Sequence, residues 1–504
     1  MRSRSAIATS TTAALVFAML LVSMPGTADA APAAADAEAV AHDHPRLRQA
    51  FHLLEVWVES ERAYQRIPGI SMGVAHDQDL LWSHGFGFGH LESREPATSD
   101  TIYSICSISK LFTSIAVMQL RDAGKLRLDD PVGDHLPWFD IEQAFPDGPA
   151  VTVEGLLTHS AGLPRESDHH YWTGPDFLFP TREEIAARVS AQRTLYPAAH
   201  TFQYSNLGLT LAGELVAAKS DEAYADYLRK HVLDPLGMTD THTEVPAALA
   251  GGRLATGYGR RQREGDRTPL ALFQARGIAP AAGFASTVGD LARFASWQLR
   301  LLERGGTEVI SANTLREMHR VHWVEPDWKT TWGLGFAVSR RDDDTFVGHG
   351  GACPGYRSQL LLHPKSELAV VFLSNAIDVD TGLFAHAAFR IVSGALEDAK
   401  KPASPPSEGA PATTDLERFA GLYTSAWDET AIVPWKDGLA ALDLPTRDPV
   451  AALTELRHVE GNVFKRVRDD GELGETISFE EHAGLVTRLL WHGNYSERLV
   501  AAGR

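Results

Sequence analysis

Cysteine is scarce in this chain, with two cysteines in 504 residues, so at most one disulfide can form. Excess positive charge is also absent, because 65 acidic side chains outnumber 47 basic ones and give a formal net charge of −18. That balance argues against nucleic acid or an anionic membrane surface as a partner. Apart from one stretch near the N-terminus, the chain lacks long apolar runs of the kind that cross a bilayer. No cysteine follows that stretch, which argues against a lipoprotein anchor.

The N-terminus has the three parts of a secretory signal peptide. Two arginines among the first four residues precede an apolar stretch over residues 13–22, and Ala28-Asp29-Ala30 forms a cleavage site. The apolar stretch is shorter than the roughly 20 residues that a membrane-spanning helix needs. We therefore predict that residues 1–30 are a cleaved signal peptide and that the protein is secreted or periplasmic, without a stable membrane anchor. An uncleaved anchor is the alternative.

Ser107-Ile108-Ser109-Lys110 is the one Ser-x-x-Lys segment of the chain, and it opens an amphipathic helical pattern that ends at Gly124. Three residues are close to one helical turn, so the lysine amine comes round to the face of the serine. A serine hydroxyl needs a neighbouring base to become a nucleophile, and a partly desolvated lysine can be that base. A simple helix N-cap is the alternative interpretation of Ser107.

Two further motifs follow in the chain, Tyr204-Ser205-Asn206 and then His349-Gly350-Gly351. The three motifs in this order are the catalytic signature of the serine β-lactamase and penicillin-binding-protein superfamily. Further segments carry the same resemblance, at 124–131 (GKLRLDDP), 156–164 (LLTHSAGLP), 235–238 (PLGM) and 283–287 (GFAST). Residues 45–398 thus resemble the β-lactamase-related serine hydrolases, a group that includes class C β-lactamases, D-amino-acid peptidases and esterases.

The resemblance implies an α/β (α+β) fold, in which helices and an α cluster flank an antiparallel sheet. The residue pattern agrees with this expectation, because strand signals lie near both ends of the segment and helical signals lie between them. One sheet built from distant segments, with helices in the middle, follows from that order. The predicted strands are at 70–75, 79–83, 345–347, 356–362 and 368–373.

The resemblance also implies roles for the motif residues. Ser107 would attack a carbonyl carbon and form an acyl-enzyme, while Lys110 and Tyr204 would carry protons to and from the reacting groups. Whether Lys110 or Tyr204 is the general base stays open, because the two titrations are coupled. Asn206 would hydrogen-bond Lys110 and a substrate amide.

The His-Gly-Gly strand would form another wall of the site. His349 replaces a lysine that is common in penicillin-binding proteins, so a full positive charge at pH 7 is not guaranteed. This favours peptides, amides or esters that lack a fixed C-terminal carboxylate. Gly350 and Gly351 would leave space for the acyl chain, and the backbone N–H groups of Ser107 and Ala352 would hold the oxyanion. No glutamate can be assigned from the sequence as a separate deacylation base.

Both cysteines lie beside these motifs. Cys106 immediately precedes Ser107, and Cys353 lies two residues after Gly351. Some class A β-lactamases have a disulfide between matching positions, so the resemblance implies a Cys106–Cys353 disulfide, which an oxidising compartment would preserve. Two buried free thiols are the alternative.

The C-terminal part of the chain has a different pattern. Residues 399–413 form a linker by composition. Residues 414–504 alternate over short segments between turn residues, which predicts a small all-β barrel or sandwich. Residues 415–423 resemble the opening of the lipocalin-like domain that some of these hydrolases carry, where it limits substrate access or supports oligomers. A stabilising appendage is the alternative, and the oligomeric state stays open.

Together these observations predict an exported serine hydrolase that acts on amide or ester bonds of a small molecule or peptide. D-amino-acid peptides, small esters and β-lactams are the candidate substrates, in that order. We expect no cofactor and no metal ion. A penicillin-binding or sensor protein that is acylated without turnover is the alternative, and a dead scaffold is disfavoured because every polar side chain that the chemistry needs is present.

Overall fold

The structure is a computed structural model that describes residues 43–401 and 413–499. The predicted signal peptide at 1–30 and most of the predicted linker at 399–413 lie outside the described residues. The helices are α1 (Pro45–Tyr64), α2 (Ser109–Asp122), α3 (Val132–His135), α4 (Val153–Thr158), α5 (Arg182–Val189), α6 (Asn206–Ser220), α7 (Tyr224–Leu228), α8 (Ala279–Ala282), α9 (Val288–Arg304), α10 (Ala312–His319), α11 (Thr381–Ala399) and α12 (Thr413–Leu416).

An antiparallel sheet of nine strands, in the order β3-β2-β1-β13-β12-β11-β10-β9-β8, organises the first part of the chain. The strand of this sheet that comes first in the chain, β1, pairs with the one that comes last, β13, and Ile70 lies opposite Ser374. The prediction of one sheet built from distant segments is therefore confirmed. The strands up to this point are β1 (Gly69–His76), β2 (Asp79–His90), β3 (Glu95–Pro96), β4 (Tyr103–Ser104), β5 (Ala285–Ser286), β6 (Thr307–Glu308), β7 (Ile310–Ser311), β8 (Trp323–Val324), β9 (Thr331–Trp332), β10 (Ala337–Arg341), β11 (Asp344–Cys353), β12 (Tyr356–His363) and β13 (Leu368–Ser374).

Helices cover both faces of this sheet because alternate side chains of β13 are apolar on both sides. Val371 and Leu373 join the core that includes the buried faces of α2, α6 and α9. Phe372, which points to the opposite face, stacks on Phe384 of α11 with ring centroids 4.8 Å apart. The all-buried pattern of β13 follows from this two-sided packing.

A closed barrel of eight strands, β14 to β21, forms the C-terminal part. Of the two predicted all-β forms, barrel or sandwich, the structure has the barrel. Its apolar interior includes Phe419, Tyr423, Phe464 and Phe479. The strands are β14 (Gly421–Thr424), β15 (Glu429–Trp435), β16 (Gly438–Leu444), β17 (Leu453–Glu460), β18 (Val463–Val467), β19 (Leu473–His482), β20 (Leu485–Trp491) and β21 (Asn494–Arg498).

Helix α1 joins the barrel to the rest of the molecule. The indole N–H of Trp57 donates to the carbonyl of Thr446 at 2.8 Å, and the N–H of Thr446 donates to Glu61 at 3.0 Å. One turn of the barrel is bound in the same way, since Gln49 both donates to and accepts from the backbone of Lys436 at 2.9 Å. These contacts involve α1, whereas the motif residues lie at the start of α2, at the start of α6 and on β11.

Within residues 43–401 and 413–499, no helix combines the length and the apolarity needed to cross a membrane. The same residues contain no group of three or more His, Cys, Asp or Glu side chains arranged to hold a metal ion.

Candidate active site

Ser107 lies in a turn of 3₁₀ helix, Cys106–Ile108, that leads directly into α2. The N-cap of α2 is Ile108 and makes no side-chain capping bond, so the hydroxyl of Ser107 is not used as a helix cap. Cys106 has a φ of 52°, in the left-handed region that costs energy for a residue with a side chain. Non-glycine residues in that region concentrate at functional sites, where surrounding contacts hold them.

One of those contacts is a disulfide between Cys106 and Cys353, whose Cα atoms are 5.6 Å apart. It joins the turn that carries Ser107 to the end of β11. The two elements also touch through Gly351, where an added Cβ would lie 2.3 Å from the carbonyl oxygen of Ile105 and 2.0 Å from the hydroxyl of Ser358. Protein atoms therefore lie where a side chain at position 351 would project.

Lys110 is completely buried beneath Ser107. Its Nζ lies 3.1 Å from Ser107 Oγ, 2.8 Å from Asn206 Oδ1 and 2.7 Å from the carbonyl oxygen of Ala281. Burial lowers the pKa of Lys110 well below its usual value, and the nearby carboxylate of Glu166 opposes this shift. A neutral amine has two N–H groups and one lone pair, and two of its neighbours here can only accept a hydrogen bond.

Glu166 is the residue of this site that sequence reasoning missed. Both oxygens of its carboxylate accept from Asn206 Nδ2, at 2.9 and 3.1 Å, and Arg165 lies 3.2 Å from it. The hydroxyl of Tyr171 donates to the same carboxylate. The available signal was the segment at 156–164, because Glu166 follows it by two residues and that segment leads into the site.

Asn206 begins helix α6, which explains why the Tyr-x-Asn motif has serine in the middle. Ser205 is the N-cap, and its hydroxyl accepts from the N–H of Gly208 at 2.9 Å while donating to the carbonyl of Pro164 at 2.6 Å. The cap therefore holds both Asn206 and the chain that precedes Glu166 in one position.

The ring of Tyr204 lies close to the side chains of Lys110 and Arg165. Nζ of Lys110 and Cζ of Arg165 are each 4.9 Å from its centroid. Burial raises the pKa of the phenol, and a hydrogen-bonding interaction with Ser107 partly offsets that shift. The phenol is thus protonated at neutral pH and stands beside the serine hydroxyl.

His349 is 5% exposed and electrically neutral. Its Nδ1–H donates to the carbonyl oxygen of Gly350 at 2.5 Å, which leaves a lone pair on Nε2. Burial, and then the charge of Lys110, lower its pKa to about 3. Among the described residues, Nε2 is buried and has no hydrogen-bond partner. His349 therefore presents a hydrogen-bond acceptor.

Three further ring-bearing residues, Trp332, Phe202 and His159, pack beside Tyr204 and His349 and form an aromatic wall of the site with them. Trp332 lies 5.4 Å from the ring of His349 and 5.3 Å from that of Phe202. His159, 4.3 Å from the Tyr204 ring, accepts the N–H of Ser205 through Nδ1 at 3.2 Å. Burial lowers the pKa of His159 well below its usual value, so its imidazole is neutral as well.

The remaining predicted residues lie on β11. Gly350 is half-buried, and an added Cβ there would come within 3.0 Å of Gln359 Oε1. Ala352 is exposed at the end of the same strand, next to Cys353. The fold thus brings Ser107, Lys110, Tyr204, Asn206 and His349 to one place from three separate elements.

This combination of sheet, helical cluster and Ser-Lys-Tyr-Asn group is that of the β-lactamase-fold hydrolases, and comparison with known proteins agrees. The family model described as beta-lactamase matches residues 54–395. The chain therefore belongs to the β-lactamase family.

Individual relatives cover most of the chain. Penicillin-binding protein 4 of Amycolatopsis lactamdurans is 29% identical over 390 residues, which are 76% of this chain and 97% of that protein. Beta-lactamase-like protein 2 of Dictyostelium discoideum is 25% identical over 78% of this chain and 75% of its own length. The solved structure of the octameric penicillin-binding protein homologue from Pyrococcus abyssi matches with a TM-score of 0.61 and 26% identity, over 88% of this chain and 99% of that one.

Proposed function

We propose that this protein is a serine hydrolase that cleaves amide or ester bonds through an acyl-enzyme on Ser107. The observation that carries the proposal is the environment of Lys110. Its two shorter contacts are to Asn206 Oδ1 and the carbonyl oxygen of Ala281, which take its two N–H groups when it is neutral. The lone pair is then left for the hydroxyl of Ser107, 3.1 Å away, so Lys110 is the base in the attack.

Acylation joins Ser107 Oγ to the carbonyl carbon of the substrate. The hydroxyl proton passes to Lys110 Nζ as the new C–O bond forms, and the carbonyl oxygen takes up the negative charge. Backbone N–H groups of Ser107 and Ala352 would stabilise that oxyanion. Collapse of the intermediate breaks the bond to the leaving group, to which the protonated phenol of Tyr204 supplies a proton. Lys110 returns a proton to Tyr204.

Deacylation repeats these steps with water as the nucleophile. Water gives a proton to the base, its oxygen bonds to the acyl carbon, and the bond to Ser107 Oγ breaks as that oxygen regains a proton. Glu166 contacts Asn206 instead of the serine, so it is a positioning residue in this scheme.

The residues that line the site favour substrates that lack a fixed carboxylate. The neutral imidazole of His349 lacks the positive charge that a substrate carboxylate requires. The aromatic wall of Phe202, Tyr204 and Trp332 provides apolar contact. Small esters and peptides with D-residues are therefore the first substrates to test, with β-lactams third.

A penicillin-binding protein that is acylated without turnover is the second candidate. It is favoured by the similarity to penicillin-binding protein 4 of Amycolatopsis lactamdurans, which covers 97% of that protein. The two candidates differ in the lifetime of the adduct on Ser107.

The test compares the mature protein with Ser107→Ala on a p-nitrophenyl ester, a D-amino-acid p-nitroanilide and a chromogenic β-lactam. We expect the variant to lose about 1,000-fold or more of the activity. Mass spectrometry of protein mixed with benzylpenicillin follows any adduct over time. A stoichiometric adduct lasting hours, without ester or amide turnover, would favour the second candidate, and full activity in Ser107→Ala would overturn both.

Export belongs to the same proposal. Cleavage after Ala30 is supported by the N-terminal sequence pattern. N-terminal sequencing of protein secreted by a bacterial host tests it, and a mature chain that begins at Ala31 is expected.

A further inference from the structure

The side chains inside the C-terminal barrel are apolar at one level along its axis and mostly polar at the next. One ring of inward positions is apolar and consists of Ile432, Ala441, Leu456, Phe464 and Ile477. Because side chains alternate along a strand, the next inward position lies two residues away, towards the turns at 424–429 and 491–494.

At that next level the inward residues are polar or aromatic. They line a cavity of about 1010 Å³ that opens between the two turns, a volume at the upper end of the range for small-molecule sites. The interior of an eight-stranded barrel is either filled by side chains or wide enough to hold one small ligand. The residues of this ring are Thr430, Asp443, Thr454, Arg466, Trp491 and Asn494.

Arg466 is the cationic side chain of the cavity lining. It lies directly opposite Leu456 in the ladder of β17 and β18, so it shares the inward face with that core residue. Within the described residues it makes no ion pair and no side-chain hydrogen bond. An inward guanidinium without a carboxylate partner is a ready site for a planar anion.

The acidic side chains of the same lining accept hydrogen bonds from groups other than Arg466. Asp428 accepts from Ser425 Oγ at 2.5 Å, and Asp443 accepts from Thr430 Oγ1 at 3.0 Å. Glu497 is paired with Arg488 at 2.8 Å. Arg466 is therefore left for a group that comes from outside the chain.

Part of the cavity lining is apolar. Leu489 and Trp491 face the cavity from β20, and the indole N–H of Trp491 has no partner among the described residues. Trp427 stands at the opening with 93% of its surface exposed.

We propose that the barrel binds one monocarboxylate with an aromatic or aliphatic body. The carboxylate pairs with Arg466, and the body packs on Leu489 and Trp491 beneath Trp427. This site is separate from Ser107, and the proposal does not depend on the hydrolase activity.

The experiment uses the full mature chain with Ser107→Ala, titrated with 4-phenylbutyrate or decanoate by calorimetry and by tryptophan fluorescence. The uncharged probe is 4-phenylbutanol. Arg466→Met removes the charge and keeps an unbranched, flexible side chain. Lys465→Met is the matched control, because Lys465 is the neighbouring cation on the outer face of the same strand. Near-ultraviolet circular dichroism checks that each variant is folded.

One carboxylate is expected to bind per chain, and Arg466→Met should weaken it about tenfold or more, as expected for loss of a charged hydrogen-bond partner. Lys465→Met should leave the affinity unchanged, and 4-phenylbutanol should show no difference between the variants. Equal affinity in Arg466→Met would place the ligand elsewhere and overturn the proposal, as would no binding up to about 10 mM. If Arg466→Met does not fold, the single variants Arg466→Gln and Trp491→Phe replace it. Weaker binding of the carboxylate in these variants supports the proposal, and unchanged affinity overturns it.

Discussion

Asn206 donates to both carboxylate oxygens of Glu166, at 2.9 and 3.1 Å, while its own carbonyl oxygen lies 2.8 Å from Lys110 Nζ. A carboxylate can only accept hydrogen bonds, so Glu166 determines which end of the amide faces Lys110. The negative charge also favours the protonated form of Lys110 and raises its pKa against the effect of burial. Glu166 thus acts on the lysine in two ways without touching the serine.

Glu166→Gln should move the acid limb of kcat/KM to lower pH. The carboxylate raises the pKa of Lys110, so its removal lowers that pKa and keeps the amine neutral in more acidic solution. At the optimum we expect a loss of about tenfold, because the amide of Asn206 is no longer held in one orientation. A pH profile of ester hydrolysis measures both effects, with Glu183→Gln on the exposed side of α5 as the control. An acid limb that stays in place would contradict this role of Glu166.

Tyr204→Phe should lower kcat/KM for amide hydrolysis more than kcat/KM for ester hydrolysis. The substitution keeps the ring close to Lys110 and Arg165 but removes the proton that the leaving amine needs. We expect a loss of about 100-fold in kcat/KM on a p-nitroanilide. The loss on a p-nitrophenyl ester should be much smaller, because p-nitrophenolate leaves without a proton. Equal losses on both substrates would assign Tyr204 to the attack step instead. Phe202→Leu, in the same aromatic wall, is the control.

His349→Lys should change substrate preference. A lysine places a positive charge where a neutral imidazole now stands. The kcat/KM for a substrate with a free carboxylate should therefore rise about tenfold relative to the kcat/KM for its neutral amide. His349→Gln, which adds no charge, should not produce this gain. The ratio of the two kcat/KM values measures the effect, and an unchanged ratio in His349→Lys would refute it.

His349 should also contribute to acid sensitivity. Its pKa in the folded protein is about 3, below the ordinary value of 6.5. The unfolded chain therefore binds the proton first as pH falls, and the folded state loses up to about 1.4 kcal/mol of stability per pH unit between these two values. His349→Gln should show a shallower fall in the free energy of unfolding between pH 6 and pH 4. Parallel curves for the two proteins would contradict this assignment.

The disulfide should stabilise both the fold and the turn at Ser107. Cys106 and Cys353 are separated by 247 positions in the chain, so the bond constrains the unfolded state strongly. Replacing both by serine should reduce the free energy of unfolding by about 2–4 kcal/mol. Alkylation of the unreduced, denatured protein should add no mass, and two alkylated thiols would show that the bond is absent. Because Cys106 has a positive φ, we also expect lower ester hydrolysis in the double variant.

Much of the fold could be predicted from the sequence because it depends on local patterns. The apolar run that forms β13 and the helix that follows Ser107 are visible from periodicity, and the structure has both. Periodicity did not distinguish a barrel from a sandwich for β14 to β21. That choice depends on whether the first and last strands meet, and here Tyr423 pairs with Arg498.

Local sequence patterns were enough to identify the reactive side chains: a serine and a lysine one turn apart, a tyrosine and an asparagine at a helix start, and a His-Gly-Gly strand. Local spacing is enough for each of these pairs, because neighbours on a turn or a strand are neighbours in space. Three further properties became visible in the folded protein: Glu166 orients Asn206, His349 is neutral, and Arg466 faces a cavity. Protonation and pairing depend on burial and on partners distant in the chain, and neither is encoded in local spacing.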